Sequence, residues 1–210
     1  MTMLLHLQCS PRGAAAFSSQ LAREVVARWR GRHPGAEVRF RDLAAAPPRF
    51  VDAAFSAAIL RPPGESSGDV PGGLAESENL IRELEAADAV VLATAMHNYG
   101  VPAVLKAWVD QIVRIHRSFA STPGGKVGKL ADRPVWLVVA SGGWFTGPTP
   151  TGAPPQPDFL VPYMRAVLNT IGIFDVHVLT LEGATRGADV LAAGLAKARA
   201  EIDRVLPPLG

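Results

Sequence analysis

Hydroxyl-bearing residues border a loop of small residues between the first predicted strand and the first predicted helix. The loop runs from Cys9 to Ser19, with Ser10 near its start and Ser18 near its end. Free N–H groups and the helix dipole favour a phosphate at a helix N-terminus. The loop matches neither the nucleoside-triphosphate motif nor the dinucleotide motif G-x-G-x-x-G, which favours a monophosphate. An equally good interpretation is that Ser18 or Ser19 only caps the helix.

A second candidate site follows the third predicted strand, where the turn consists of Met96, His97, Asn98 and Tyr99. Met96 and Tyr99 offer apolar surface, and Asn98 can hydrogen-bond the polar edge of a heterocycle. This set suits a planar ring such as a flavin. Core packing is the alternative for Met96 and Tyr99, and His97 is either a polar loop residue or a proton donor. We expect Gly100 to allow the tight turn.

A third candidate loop follows the fourth predicted strand and begins with Ser141, Gly142, Gly143 and Trp144. Glycines let backbone N–H groups approach a ligand closely. Alone, a Ser-Gly-Gly turn is usually only a loop. Taken with the other two loops, it predicts one site that holds a phosphate tail and a planar tricyclic ring.

The elements that must position these loops alternate between short apolar runs and longer segments of helical period. Strands are predicted at Met3–Leu7, Val38–Phe40, Ala89–Thr94, Val135–Ala140 and Val176–Leu181. Helices are predicted from Ser18 or Ser19 to Pro34-Gly35, and at Leu74–Ala87, Pro102–Ile115, Phe159–Ile171 and Asp189–Val205. Between them, Ala44–Gly73 reads as an extended connection with a short helix near Ala53–Leu60, and Gly142–Pro157 as a long loop. This alternation predicts a parallel, doubly wound α/β sheet, which binds ligands beyond the carboxyl ends of its strands.

The composition is that of an ordinary globular protein, with 48% hydrophobic and 19% charged residues over 210 positions. The net charge is +2, but no basic run is present, so we expect no nucleic-acid partner. The apolar runs are of strand length, and the N-terminus lacks the pattern of a signal peptide, so we expect no membrane insertion. The single cysteine, Cys9, suits the reducing cytoplasm and reads as a packed, inert thiol. We predict one domain, residues 1–210.

The residues Asn98–Ala103, followed by Leu105, Lys106 and Trp108, resemble a motif of the FMN-dependent NADH-azoreductases and NAD(P)H quinone reductases. The Cys9–Arg12 segment with Ser18 resembles the phosphate loop of the azoreductases. The Phe174–Val176 and Glu182-Gly183 segments fit as well, so the resemblance covers nearly the whole chain. It implies a flavodoxin-like, five-stranded parallel sheet of order 2-1-3-4-5 with helices on both faces. For Trp108 we expect core packing, and for Lys106 and Asp110 an i,i+4 ion pair.

The resemblance implies an FMN-dependent enzyme that passes two electrons from NADH or NADPH to quinones or azo compounds in a ping-pong cycle. No side chain is assigned as catalytic, because N5 of the flavin carries the chemistry. It also implies a homodimer with FMN at the interface, with which aromatic loop residues agree; these are Phe119, Trp144, Phe145 and Phe159. His116, Phe119 and Trp144 are candidates for the rim of the pocket. The implied FMN contacts are Ser10, Ala16, Phe17, Ser18, Met96, His97, Asn98, Tyr99, Ser141, Gly142, Gly143 and Trp144.

The chain departs from the family pattern at four of these positions. Ala16 and Phe17 stand where a hydroxyl or polar residue is usual, Gly142 replaces an arginine, and Trp144 lies at or beside the last glycine. One alternative function is a non-enzymatic electron carrier or flavin-binding regulator of the same fold, although such carriers tend to be strongly acidic. Another is a hydrolase that uses Cys9 or Ser10, against which no general base is recognisable.

Overall fold

The apolar runs of the sequence form a five-stranded parallel sheet. The computed structural model describes residues 2–59, 72–147 and 149–208. The sheet strands are β1 (Met3–Gln8), β2 (Glu37–Asp42), β3 (Ala89–Ala95), β6 (Val135–Ala140) and β7 (Val176–Leu181). They pair in the order β2-β1-β3-β6-β7, and every neighbouring pair is parallel. This confirms the predicted flavodoxin-like fold and the order 2-1-3-4-5, since β6 and β7 are the fourth and fifth predicted strands.

Burial differs between the centre and the edge of the sheet, as the residue patterns predict. All six residues of β1 and all six of β6 are buried, whereas β2 at the edge has only half-buried and exposed residues. A central strand covered on both faces needs a continuous apolar run, while an edge strand does not. The loops that follow β1 and β6 therefore begin from fully buried strands.

Helices cover both faces of the sheet. They are α1 (Phe17–Arg32), α2 (Ala53–Ile59), α3 (Ala75–Ala86), α4 (Ala103–Ile112), α5 (Val161–Ile171) and α6 (Ala188–Val205). On one face α1 and α6 pack over Leu4 of β1, and on the other α3, α4 and α5 pack over Leu5 and Leu7. None of the helices within the described residues combines the length and the apolar character that crossing a bilayer requires.

The predicted end of α4 and the predicted start of α5 differ from the structure by two or three residues. The helix predicted to reach Ile115 ends at Ile112, because the Ser118 hydroxyl donates to the Ile112 carbonyl at 2.6 Å and accepts the Arg114 N–H at 2.8 Å. Phe159 precedes α5 in a loop. The short helix predicted near Ala53–Leu60 is present as α2, while Leu60 and the rest of 60–71 lie outside the described residues.

A β-hairpin between α4 and β6 was not predicted. Its strands are β4 (Phe119–Thr122) and β5 (Gly125–Gly128), which pair antiparallel. Four-residue strands that contain mainly small and polar residues carry little periodic signal. The hairpin packs closely against the end of α5, since a Cβ on Gly128 would lie 2.1 Å from the backbone nitrogen of Gly172.

Candidate active site

The three loops singled out in the sequence begin at the carboxyl ends of three adjacent strands. Beyond β1, the Cys9 N–H donates to the Ala93 carbonyl of β3 at 3.0 Å, and beyond β3, the Met96 N–H donates to the Ala140 carbonyl of β6 at 2.9 Å. The chain order reverses between β1 and β3, so this end of the sheet is the topological switch point. The structure thus brings the starts of the three predicted loops side by side.

The loop after β1 leads into α1 through one 3-10 turn at Gly13–Ala15. Ala16 is the N-cap residue, with φ −70° and ψ 139°, and none of the side chains that the structure describes caps the helix. The prediction that Ser18 or Ser19 caps α1 is therefore wrong, because the extended backbone of Ala16 starts the helix at Phe17. Both serines lie inside the first helical turn.

The first turn of α1 leaves several hydrogen-bonding groups unused. Its first backbone hydrogen bond runs from the Gln20 N–H to the Ala16 carbonyl at 3.0 Å, so the N–H groups of Phe17, Ser18 and Ser19 precede the helical ladder. The hydroxyl oxygens of Ser18 and Ser19 are buried and have no hydrogen-bond partner among the described residues. Such a group of donors at a helix N-terminus is suited to an anion.

Ser10 and Arg12 shape the start of the same loop. The buried Ser10 hydroxyl oxygen accepts the Arg12 N–H at 3.3 Å, and the Ser10 carbonyl accepts the Gly13 N–H at 3.0 Å. The exposed Arg12 guanidinium lies 5.6 Å from the centre of the Phe17 ring. Phe17 thus has a cation–π partner, and the hydroxyl hydrogen of Ser10 is not used by the turn.

Cys9 is packed in the core beside this loop, as predicted. It is fully buried, and burial raises the pKa of its thiol to about 12. A thiol acts as a nucleophile only as its thiolate. The thiol of Cys9 is therefore unsuited to the hydrolytic alternative.

The turn after β3 has a strained backbone. The His97 N–H donates to the Gly100 carbonyl at 3.0 Å, and the Gly100 N–H donates back to the His97 carbonyl at 2.9 Å. The two residues between them, Asn98 and Tyr99, have φ values of 49° and 70°. The expectation that Gly100 supplies the conformational freedom is wrong, because the positive φ falls one and two residues earlier. A bulky residue such as Tyr99 in this region costs about 1–3 kcal/mol.

The side chains of this turn are accessible. His97, Asn98 and Tyr99 are exposed, and Met96 is half-buried. The carbonyl of Tyr99 accepts the Phe159 N–H at 3.0 Å, which ties the turn to the loop before α5. An aromatic ring, an imidazole and an amide thus stand at the switch point.

Three residues of the helix that follows the turn have a structural role. Trp108 is buried in the core, and Lys106 pairs with Asp110 across one helical turn, both as expected.

In the loop after β6, both glycines lie close to the ends of neighbouring side chains. A Cβ on Gly142 would lie 2.8 Å from the Thr185 hydroxyl oxygen, and one on Gly143 would lie 2.5 Å from Oε1 of Gln156. The buried Ser141 hydroxyl oxygen accepts the Gly143 N–H at 3.2 Å. A side chain at position 142 or 143 would have to displace the end of the Thr185 or Gln156 side chain, so this loop is closely packed.

Trp144 ends this turn and is half-buried. The Arg186 guanidinium lies 5.5 Å from the centre of its ring, and a Cβ on Gly183 would lie 3.1 Å from the same ring. Two other residues were predicted to lie on the rim. His116 is exposed. Phe119 is buried, and the Lys126 ammonium lies 5.2 Å from the centre of the Phe119 ring. Phe119 therefore lies in the interior and not on a rim.

Two residues that hold the β6 loop had no role in the sequence interpretation. The buried Glu182 accepts the Thr146 N–H at 2.8 Å and also the Phe145 N–H. Gln156 donates from Nε2 to the Ser141 hydroxyl oxygen at 3.0 Å and to the Met96 sulfur at 3.1 Å. Glu182 belongs to a segment that the family resemblance marked, whereas no spacing in the sequence signals Gln156, which lies 60 positions from Met96.

Within the described part of the chain, no three His, Cys, Asp or Glu side chains are grouped so that they could hold a metal ion. The groups that converge at the switch point are hydroxyls, backbone N–H groups, an amide and aromatic rings. They can bind an anion and a planar ring.

Comparison with known proteins agrees with this arrangement. The sequence model of the flavodoxin-like fold family matches residues 2–206. The chain is 44% identical over 210 residues to FMN-dependent NADH:quinone oxidoreductase 4 of Pseudomonas fluorescens, covering 100% of this chain and 97% of that protein. It is 44% identical over 200 residues to FMN-dependent NADH:quinone oxidoreductase 2 of Cupriavidus pinatubonensis, covering 95% of each.

The solved structures show the same fold at lower identity. The crystal structure of an azoreductase from Bacillus anthracis has a TM-score of 0.83 and 23% identity, covering 99% of both chains. An FMN complex of an FMN-dependent NADH-azoreductase from Bacillus anthracis has a TM-score of 0.79 and 18% identity, covering 98% of this chain and 100% of the other. Together with the sequence relatives, these matches show that the chain belongs to the flavodoxin-like fold family and, within it, to the FMN-dependent NADH:quinone oxidoreductases.

Proposed function

We propose that this protein is an oxidoreductase that binds FMN and transfers two electrons from NADH to a quinone. The observation that carries the proposal is the start of α1, where two buried serine hydroxyls and three backbone N–H groups stand without helical partners at the switch point. Family membership supports it, because the sequence relatives carry names that state FMN, NADH and quinone.

The phosphate of FMN fits the loop after β1. The Ser18 hydroxyl, with the N–H groups of Phe17 and Ser18, would donate to it, and Ser10 would add a hydroxyl from the start of the loop. Ala16 contributes no polar side chain, but the N–H groups of the first helical turn have no preceding helical carbonyl to bond and stay available. The replacement of a polar residue at Ala16 and Phe17 thus leaves the backbone donors in place.

The ring system fits between the other two loops. Met96 and Tyr99 would provide apolar contact, and Asn98 would hydrogen-bond the polar edge of the ring. His97 is exposed beside them. On the β6 side, Ser141, Gly142 and Gly143 bring the backbone close, and Trp144 closes the end of the loop against Arg186.

When bound, FMN supplies two-electron redox chemistry, accepting a hydride equivalent from NADH and passing two electrons to the acceptor. The protein binds and orients, and none of its side chains acts as a nucleophile or metal ligand in this proposal. We propose that NADH and the acceptor occupy one pocket in turn, in ping-pong order. The exposed ring of Tyr99 offers each of them the same apolar surface.

Quinones are the acceptors that the sequence relatives support, and azo compounds are a second proposal. The azo acceptor rests on the azoreductase motif and on the azoreductase names of the structural neighbours. We propose NADH as the electron donor because the names of the sequence relatives state it. An assay that compares NADH with NADPH tests this choice.

We further propose a homodimer, a single domain and a cytoplasmic location. Phe159 supports the dimer, since its side chain is 65% exposed and its N–H donates to the Tyr99 carbonyl beside the proposed ring site. Phe145 and Phe119 do not, because both are buried within this chain. The single cysteine supports a reducing compartment.

The proposal is tested with the purified protein and its flavin. We expect a yellow protein that releases FMN on denaturation and oxidises NADH with menadione, and also with methyl red if azo reduction holds. NADPH in place of NADH, and riboflavin in place of FMN, are the matched controls. A colourless protein that ignores added FMN contradicts the proposal, and a protein that binds FMN but turns over neither acceptor favours the electron carrier.

A further inference from the structure

The side chain of Gln156 joins two of the three loops at the switch point. Its Nε2 donates to the Met96 sulfur at 3.1 Å and to the Ser141 hydroxyl oxygen at 3.0 Å. Its own N–H donates to the Trp144 carbonyl at 2.8 Å. One residue thus contacts the turn after β3 and both ends of the turn after β6.

The contacts of Gln156 use both hydrogens of its primary amide. The acceptors are a thioether and a hydroxyl oxygen, and the amide nitrogen has two hydrogens, one for each of them. Its Oε1 fills the space where a side chain at position 143 would begin, 2.5 Å from a Cβ built on Gly143. A carboxylate could accept from the Ser141 hydroxyl but would present an oxygen to the Met96 sulfur, and an aliphatic side chain would make neither contact.

Gln156 is held inward while its neighbours face the solvent. It is half-buried, whereas Pro155 and Pro157 on either side are exposed. Three residues later, the Phe159 N–H donates to the Tyr99 carbonyl at 3.0 Å. The 156–159 segment therefore fixes the turn after β3 at two points, Met96 and Tyr99.

We propose that Gln156 is a positioning residue for the flavin ring. It sets the separation between Met96 and Ser141, and with it the width of the slot that the ring enters, without contacting the reacting atoms. The inference rests on the proposed function and concerns a residue that lies outside the FMN contacts predicted from the sequence.

The test compares Gln156→Leu and Gln156→Glu with Thr149→Ala. Thr149 lies in the same loop, and its hydroxyl forms hydrogen bonds with Thr151 and Ala153 at 3.0 Å each. For both Gln156 variants we expect the Kd for FMN to rise about tenfold, since each neutral hydrogen bond contributes a factor of roughly 2 to 12. We also expect a shifted visible absorption maximum and a shifted midpoint potential of the bound flavin, and a Thr149→Ala protein that matches the wild type in all three.

The outcomes separate this inference from the proposed function. If wild-type protein binds no FMN, the proposed function fails and Gln156 has no flavin to position. If the wild type binds FMN and the Gln156 variants match its Kd, absorption spectrum and potential, only the inference is overturned. Variants that lose thermal stability as apoproteins but keep the wild-type spectrum and potential show a merely structural role and also overturn it.

Discussion

Two groups of buried polar side chains in this protein differ in how their hydrogen bonds are satisfied. Between α3 and α4, the buried Glu78 accepts hydrogen bonds from Arg114 at 2.7 Å and from Arg117 at 3.0 Å. Its neighbour Ser77 donates to the Gln111 carbonyl at 2.6 Å. At the start of α1, the equally buried hydroxyls of Ser18 and Ser19 have no such partners among the described residues.

The difference separates a cluster that stabilises the fold from one that is prepared for a ligand. Burial works against the charge of Glu78, but the hydrogen bonds from Arg117 and Arg114 outweigh it and lower the pKa of Glu78 to about 2. Buried polar groups are nearly always paired, so unpaired ones need an explanation. Being unpaired does not by itself identify a site, since Nε2 of His6 is also without a partner in the described structure. The serines differ because they lie beside free N–H groups at a helix start.

The largest expected effect comes from breaking the paired cluster. Glu78→Ala leaves the buried Arg114 without its counter-charge, and we expect the free energy of unfolding to fall by about 3–5 kcal/mol. In Glu24→Ala, which breaks an exposed pair with Arg199, the loss should stay below about 1 kcal/mol. Urea unfolding of the apoproteins measures both. A Glu78 variant of wild-type stability, or one that folds but loses FMN affinity, contradicts the structural role of the cluster.

His6 also has a buried atom without a hydrogen-bond partner in the described structure, but it lies away from the start of α1. We therefore expect its substitution to change stability and not FMN binding. Burial, reinforced by the charge of Arg23, lowers the pKa of His6 from 6.5 to about 4. Between pH 6.5 and pH 4, His6 is therefore protonated in the unfolded chain but neutral in the folded chain. Protonation of the unfolded chain lowers the free energy of unfolding, so this part of the stability is complete above pH 6.5 and is lost as the pH falls towards 4. The loss reaches about 3 kcal/mol at pH 4.

We expect His6→Leu to remove this part of the acid sensitivity and to leave the Kd for FMN at neutral pH unchanged. Urea unfolding of both proteins between pH 7 and pH 4 checks the difference. Parallel stability curves for the two proteins would show that His6 does not titrate as proposed, and a weakened FMN affinity would place His6 at the ligand site.

At the start of α1, where the Ser18 and Ser19 hydroxyls are unpaired in the described structure, we expect a substitution to weaken FMN binding and not to lower stability. In Ser18→Ala we expect the Kd for FMN to rise about 10- to 100-fold, since a hydrogen bond to a charged group contributes about 1.5–3 kcal/mol. The apoprotein should keep or gain stability, because the hydroxyl it loses had no partner. The exposed Ser56→Ala in α2 is the control.

Riboflavin sharpens the Ser18 measurement because it lacks the phosphate. Its Kd should be nearly the same in wild-type protein and in Ser18→Ala. Fluorescence titration with the two flavins gives all the values. An equal loss for FMN and riboflavin would show that the hydroxyl does not contact the phosphate.

The sequence predicted the sheet and the loops well because both depend on local pattern. The continuous apolar runs of β3 and β6 and the stripe of Leu80, Ile81 and Leu84 on α3 can be read from residue types alone. The β4–β5 hairpin could not be predicted, since its four-residue strands carry little periodic signal and its contact with Gly172 is distant in sequence.

In the site, the positions of the loops were predictable but their internal geometry was not. Ser18 was correctly placed at the helix start and wrongly taken as the cap, because the conformation of Ala16 decides where α1 begins. The role of Gln156 depends on contacts with residues 15 and 60 positions away. Such contacts exist only in the folded chain.

The strained backbone at Tyr99 can be compared with the unpaired groups at the start of α1. Apart from the control variants, a substitution at Tyr99 has the smallest expected effect. Tyr99→Gly converts the turn to Asn-Gly, the preferred pair where both central residues have positive φ. We expect the free energy of unfolding to rise by about 1 kcal/mol, while the KM for the quinone rises because the exposed ring is lost.

Gly100→Ala is the matched control for the neighbouring position. A Cβ there would meet only the His97 carbonyl oxygen, at 4.0 Å, so we expect no loss of stability. Urea unfolding and steady-state kinetics with menadione measure the two effects separately. A less stable Tyr99→Gly protein would mean that the Tyr99 ring stabilises the turn by more than the positive φ costs. The turn after β3 would then resemble the paired cluster and not the start of α1.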